Sequence, residues 1–289
     1  MIKALLLYSK GLDSILVLKI LEKQNIQVKT INFGTCFFDG EIDITKDHLK
    51  IVKEPKYGRG VGMNPCRDCH LLMLKKAKEI MEKEGYDFIA TGEVVSQRPF
   101  SQKRDQLLFL EKEAGLEGYL LRPLSAKLLP ETIAEKKGLV DRSKFYDISG
   151  KNRKRQLELT KEFNIKEFPM PAGGCILTDK EYSKKLKQLL EVNPNFSAND
   201  AKVIRKGRIY FEDKILFVIS RDEKEGEELK TFLFKKDVYL ESENFPGPSV
   251  LIRSFTGDID SGIIEKGKKL LIEHSKKVPK DYKIIIYEK

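Results

Sequence analysis

Leu5-Leu6-Leu7-Tyr8-Ser9-Lys10-Gly11-Leu12-Asp13-Ser14 is the stretch whose reading decides the fold. The apolar run up to Tyr8 predicts a buried parallel strand. It breaks at Ser9 and turns through Gly11. From Leu12 the pattern is that of an amphipathic helix, with Ile15, Leu16, Leu18, Ile20 and Leu21 apolar and Lys19, Glu22 and Lys23 polar. Backbone N–H groups at such a turn, with the positive end of the helix dipole, form an anion site. The plainer reading is a β-turn-α connection in which Asp13 and Ser14 are ordinary first-turn residues.

Working outward, Gln27–Phe33 is rich in β-branched and aromatic residues and predicts a second strand. Strand, helix and strand within about 30 residues make a βαβ unit with parallel strands. Ligands of such sheets sit beyond the carboxyl ends of the strands, where Ser9–Ser14 and Phe33 share an edge. Phe33 is either a platform for a purine or a core aromatic. Thr35–Met63 reads as polar and irregular. Leu71–Glu84 predicts a helix, and Asp87–Thr91 a third strand ending in Ala90-Thr91-Gly92-Glu93. Ser101–Ala114 and Asn152–Phe163 predict helices, the second opening in the basic cluster Lys151, Arg153, Lys154 and Arg155. Asn193-Pro194-Asn195 marks a domain boundary, giving domains 1–193 and 194–289. Beyond it, Arg208–Phe211 and Ile215–Ser220 read as a hairpin, followed by two helices and three more strands. The expected fold is α/β: a Rossmann-like, doubly wound parallel sheet with a smaller C-terminal α+β domain.

The 289 residues are 40% hydrophobic and 34% charged, and carry a formal net charge of +10. Most of that excess lies before Phe196, which points to a polyanionic partner, nucleic acid above all. No apolar run is long enough to span a membrane and no signal peptide is evident, so a cytoplasmic protein is expected.

Four cysteines in a chain of this size do not make a disulfide scaffold. Cys66 and Cys69 form a CxxC at a helix start, where thiolates are favoured. Cys175 follows far along the chain in the Pro/Gly loop Phe168-Pro169-Met170-Pro171-Ala172-Gly173-Gly174. Three thiolates of this kind can hold an iron–sulfur cluster, bind zinc with His70 or an Asp, or serve as a catalytic pair handling a persulfide. Three unrelated buried cysteines are the plain alternative. A thioredoxin is excluded by position, because the Ser9–Ser14 turn occupies the place its motif would take.

Ser9-Lys10-Gly11-Leu12-Asp13-Ser14 resembles the SGGxDS signature of the PP-loop ATP pyrophosphatases. Asn64-Pro65-Cys66-x-x-Cys69 followed by Ala90-Thr91-Gly92-Glu93 resembles the NPCxxC…ATGH order of tRNA 2-thiouridine synthetases of the MnmA type. Cys66, Cys69 and Cys175 together resemble the triad of iron–sulfur tRNA thiolases of the TtuA and TtcA type. The region around Phe245-Pro246-Gly247-Pro248 faintly resembles the ribosome-associated NFACT-R module. Lys10 stands where the signature has a glycine, and Glu93 where the family has a histidine.

The resemblance implies a PP-loop (HUP-type) fold and an ATP-dependent tRNA sulfurtransferase. It implies ATP binding by Ser9, Lys10, Gly11, Asp13, Ser14, Phe33, Thr91 and Gly92, with Mg²⁺ near Asp13. It implies a 4Fe-4S cluster on Cys66, Cys69 and Cys175, or catalytic cysteines without a cluster. Asp13 and the three cysteines are then the catalytic residues. A sulfur donor, sulfide or a persulfide carrier protein, is required, and a homodimer is compatible with it. Gln97, Arg98, Lys151, Arg153, Lys154 and Arg155 are the candidate tRNA contacts. Two other functions keep some of these features: a PP-loop enzyme acting on a small molecule, by sulfur transfer or amide formation, and a non-catalytic RNA- or ribosome-binding protein with a degenerate loop.

Overall fold

The computed structural model describes residues 1–98, 100–169 and 174–288. Met170, Pro171, Ala172 and Gly173 of the loop before Cys175 lie outside the described residues. The chain separates into two compact units, Met1–Cys175 and Ile176–Lys289. This division falls before the helix Lys180–Val192, and the Asn193-Pro194-Asn195 signal follows that helix.

In the first unit the order is β1 (Lys3–Leu7), α1 (Leu12–Glu22), β2 (Gln27–Ile31), β3 (Phe33–Gly34), β4 (Ile42–Asp43), α2 (Thr45–Lys53), α3 (Cys66–Glu84), β5 (Phe88–Thr91), α4 (Arg104–Glu113), β6 (Leu120–Leu121), α5 (Ile133–Lys136) and α6 (Lys154–Glu162). Four strands pair in the order β2-β1-β5-β6, all parallel. Because side chains alternate across a strand, Ala4 and Leu6 of β1 enter one core with Leu16, Val17 and Leu159 of α1 and α6. Leu5 enters the other, with Leu71, Leu74, Ala77 and Met81 of α3. Both sheet faces are therefore covered by helices, as a parallel sheet requires.

Two differences from the sequence reading have clear causes. The polar stretch after Thr35 contains α2, a helix whose only buried side chains are His48 and Val52. An apolar stripe that thin leaves little periodic signal. And α3 begins at Cys66 rather than Leu71, because the chain turns into helix directly after Pro65.

The second unit runs α7 (Lys180–Val192), α8 (Ala198–Val203), β7 (Arg208–Glu212), β8 (Ile215–Ile219), α9 (Glu223–Lys230), β9 (Val238–Ser242), β10 (Val250–Ser254), α10 (Ser261–Glu273) and β11 (Ile284–Glu288). Its five strands pair in the order β11-β9-β10-β8-β7, all antiparallel. The β7–β8 hairpin turns where expected, with Asp213 at φ 48°. Gly267 lets α10 lie close on the sheet: a Cβ there would meet Ile252 Cδ1 at 2.5 Å. Among the described residues no helix is long and apolar enough to cross a membrane.

His48 is 1% exposed, sits against Phe37 and Phe38 at 5.5 Å between ring centroids, and has neither ring nitrogen hydrogen-bonded among the described residues. Burial alone pushes its pKa down to about 4. A neutral imidazole is thus built into the fold, and its stabilisation is complete above the unfolded pKa. It is lost as pH falls from the ordinary histidine value through the folded one. Between pH 7.5 and pH 5, urea denaturation should show wild type losing about 2 kcal/mol more than His48→Leu. Equal losses would contradict this placement.

Candidate functional site

The strand order reverses between β1 and β5, since β2 lies on one side of β1 and β5 on the other. That reversal opens a crevice at the carboxyl ends of β1 and β5. The turn after β1 reaches it first. Lys10 adopts φ 61°, the left-handed region, at a cost of about 1–2 kcal/mol to a residue with a Cβ. This is the position where the resembling signature has glycine, so the backbone shape is kept although the residue is not. Gly11 caps α1 in extended conformation, and no side chain caps the helix. The N–H groups of its first turn are therefore available to an anion. Ser14 Oγ donates to Gly11 O at 2.8 Å and lies 3.5 Å from Ser9 Oγ, which holds the turn closed.

The second loop, after β5, packs against the first. A Cβ on Gly92 would stand 2.8 Å from Ser14 N and 2.9 Å from Asp13 C, so only glycine allows this approach. Gln97 Nε2 donates to Asp13 Oδ2 at 3.2 Å, and Arg153 Nη2 lies 3.9 Å from the same oxygen. Asp13 Oδ1 is buried without a hydrogen-bond partner. Burial raises the Asp13 pKa, opposed by Gln97, Arg153, Gln156 and Arg98. A buried carboxylate beside a helix N-terminus, with Arg153 close by, fits a site that receives a polyphosphate and the divalent ion it carries. The Lys10 ammonium rests on Glu41 at 3.3 Å, with both side chains more than half exposed. An exposed pair of that kind is worth little and yields easily to a phosphate.

The cysteines lie beside this crevice. Cys66 and His70 are one turn apart on α3 and hydrogen-bond each other. His70 Nδ1 is 3.0 Å from Glu93 Oε1. Glu93 Oε2 accepts from Thr91 Oγ1 at 3.1 Å and from Arg122 Nε at 3.0 Å. Arg122, 2% exposed, also donates to Glu111 Oε2 at 2.7 Å and to Leu107 O at 3.1 Å. The charges settle accordingly. Burial opposes ionisation of all three groups, yet the Arg122 guanidinium and His70 hold the Glu93 carboxyl well below its usual range. Cys66 and Glu93 hold the His70 imidazole protonated. His70, with Ser101 and Arg98 beside it, brings the Cys66 thiol down. Cys69 goes the other way: burial, then Cys66, Cys175 and Asp68, push its thiol far up.

Several expectations are redistributed. Ser9, Lys10, Gly11, Asp13, Ser14, Thr91 and Gly92 gather at the crevice. Phe33 does not: it is 4% exposed and spent in the core with Leu5, Ile31 and Leu71, so it offers no face to a base. Gln97, Arg98 and Arg153, first read as RNA contacts, face Asp13. Arg155 binds Glu162 and Glu158 of its own helix at 2.7 and 3.2 Å, while Lys151 and Lys154 are exposed. Cys66, Cys69 and Cys175 are near enough for their charges to act on one another. Among the described residues, however, no three His, Cys, Asp or Glu side chains are placed to hold a metal ion. The sulfur chemistry below is written on the thiols, with a cluster on Cys66, Cys69 and Cys175 as its alternative. Arg122 and Gln156 were not singled out, and Glu93 was read only as standing where the family has a histidine. Cys66 and His70 at helical i, i+4 spacing were the one available signal, hidden by starting the helix at Leu71.

No protein-family model and no curated protein matches the sequence. Among solved structures, one described as a predicted subunit of tRNA methyltransferase from Methanocaldococcus jannaschii aligns with 61% of this chain and 98% of its own. The TM-score is 0.32 at 15% identity, a likeness that assigns no function.

Replacing Arg122 with Met would leave Glu111 buried without a cation and Glu93 with His70 alone. Stability should fall by about 3–5 kcal/mol in urea denaturation. A loss under 1 kcal/mol would show that the network is not the anchor described here.

Proposed function

We propose that the chain is an ATP-dependent tRNA sulfurtransferase, which adenylates a uridine carbonyl and replaces its oxygen with sulfur to give 2-thiouridine or 4-thiouridine. The observation that carries this reading is that Gly92 packs on the backbone of Asp13 and Ser14 while the next residue, Glu93, holds His70 against Cys66. That chain of contacts supports a reading in which the turn and the thiol act on one bound substrate. The resemblance of both motifs to PP-loop thiolases and the basic charge of the chain support the same reading.

The chemistry follows from the leaving-group problem. A carbonyl oxygen leaves poorly. When it attacks the α-phosphorus of ATP, pyrophosphate departs and an adenylated base remains. The first-turn N–H groups of α1, with Ser9, Gly11 and Ser14, receive the pyrophosphate, and Lys10 and Arg153 offset its charge. Mg²⁺ arriving with ATP would be held by Asp13 and would stabilise the developing negative charge. Thr91 and Gly92 border the nucleotide.

Sulfur then enters from cysteine. The terminal sulfur of a persulfide on Cys175 attacks the activated carbon, and AMP leaves. The Cys66 thiolate, kept ionised by His70, attacks the Cys175 sulfur. The thionucleoside is released, and the resulting Cys66–Cys175 disulfide is reduced by an external dithiol. A persulfide carrier reloads Cys175. Lys151 and Lys154 remain candidate contacts for the tRNA backbone.

Two variants separate the half-reactions. Asp13→Ala should lower tRNA-dependent pyrophosphate release by about 100-fold or more. Cys175→Ser should release pyrophosphate normally but yield no thionucleoside by mass spectrometry of the tRNA digest. Thiolation by Cys175→Ser would remove that residue from the mechanism. Stoichiometric iron retained by anaerobically purified wild type would replace the persulfide route with a cluster. If tRNA never stimulates pyrophosphate release, the whole reading fails.

A further inference from the structure

A second cavity, of about 610 Å³, lies wholly within the second unit. It is formed by the start of α7, the turn from α8 into β7, the junction of β8 with α9, and Phe232. Its size suits a nucleotide. Ile176, Ile204 and Phe232 give it apolar wall, and Lys185, Lys202, Arg205, Lys206 and Arg221 give it five cations.

The carboxylates at the same cavity are Asp179, Glu181 and Glu225, and two of them are already engaged. Asp179 caps α7, accepting from Tyr182 N at 2.7 Å. Glu225 takes the Arg221 guanidinium through both oxygens, at 2.7 and 3.2 Å. Lys206 is occupied by Glu228. Among the described residues Lys185, Lys202 and Arg205 make no ion pair, although Glu225, Glu181 and Asp179 act on Lys185 from a distance.

Lys185 is the telling member. It is half-buried, and among the described residues its ammonium donates only to Gly207 O, at 3.3 Å. Burial lowers its pKa, and the neighbouring Arg221 guanidinium lowers it further, outweighing the carboxylates around it. Among the described residues Lys185 thus has a carbonyl as its one hydrogen-bond acceptor while standing near a second cation, so its charge is under-matched. An anion between the two cations would match it.

We propose that this cavity binds the phosphate of a nucleotide, free or within a nucleic-acid strand, between Lys185 and Arg221, with the apolar wall receiving the base. The site is independent of the crevice in the first unit and does not rest on the function proposed for it.

Fluorescence anisotropy on the full chain tests this, with a labelled single-stranded RNA tetranucleotide as probe and AMP as competitor. The double variant Lys185→Gln, Arg205→Gln should weaken probe binding by about tenfold or more and flatten its salt dependence. Lys185→Arg, which keeps the charge, should retain binding. Lys280→Gln, outside the cavity, is the control and should change nothing. Displacement of the probe by AMP, lost in the double variant, identifies a free nucleotide as ligand; binding that AMP does not displace identifies a strand. Unchanged affinity and salt slope in a double variant with the wild-type thermal midpoint would overturn the proposal. So would an equal loss in the Lys280→Gln control.

Discussion

Everything at the candidate site depends on β1 pairing in parallel with β2 on one side and β5 on the other. Parallel partners cannot be joined by tight turns, so helices must carry the chain back across the sheet each time. With β1 in the middle, the turns that follow β1 and β5 emerge side by side and diverge to opposite faces. The crevice is what remains between them. Its width is set by one atom that is missing: the Cβ of Gly92, whose absence lets the second loop touch the backbone of Asp13 and Ser14.

Around that crevice, buried charge is spent on position rather than on stability. Arg122, Glu93, Glu111 and protonated His70 form a balanced set of two cations and two anions. Desolvating such a set costs about as much as its mutual attraction returns. What it does is leave His70 one orientation, aimed at Cys66. The thiol is then activated by a side chain on its own helix, held from the sheet through Glu93. The second unit repeats the device for a purely architectural end. Arg253, 3% exposed, meets Asp200 and Asp237 at 2.6 Å each and ties α8 to β9 and β10. Against that fully satisfied guanidinium, the poorly partnered Lys185 stands out as a charge with work elsewhere.

The strand–turn–helix of Leu5–Ser14, the βαβ unit and the β7–β8 hairpin were legible because hydrophobic period and turn residues are local properties. The loop residues of the candidate site were legible for the same reason: small and acidic residues at a strand-to-helix turn announce a backbone geometry. The helix α2 was not, since two buried side chains do not make a period. The fate of Phe33 was not either, because an aromatic at a strand end looks the same whether it faces a ligand or the core.

By itself, then, the sequence determined the main succession of strands and helices apart from α2, the strand–turn–helix shape around Ser9–Ser14 and the supply of cysteines. Each of these is written in neighbouring residues. Only the tertiary structure decided which distant side chains meet. It brought Gln97 and Arg153 to Asp13, and Arg122 through Glu93 to His70. It also linked the Cys66 thiol, through His70 and Glu93, to the loop that packs on the Ser9–Ser14 turn. The physical reason is that burial, and the charge state that burial imposes, belong to the packed sheet and its helices. No local stretch of chain carries them.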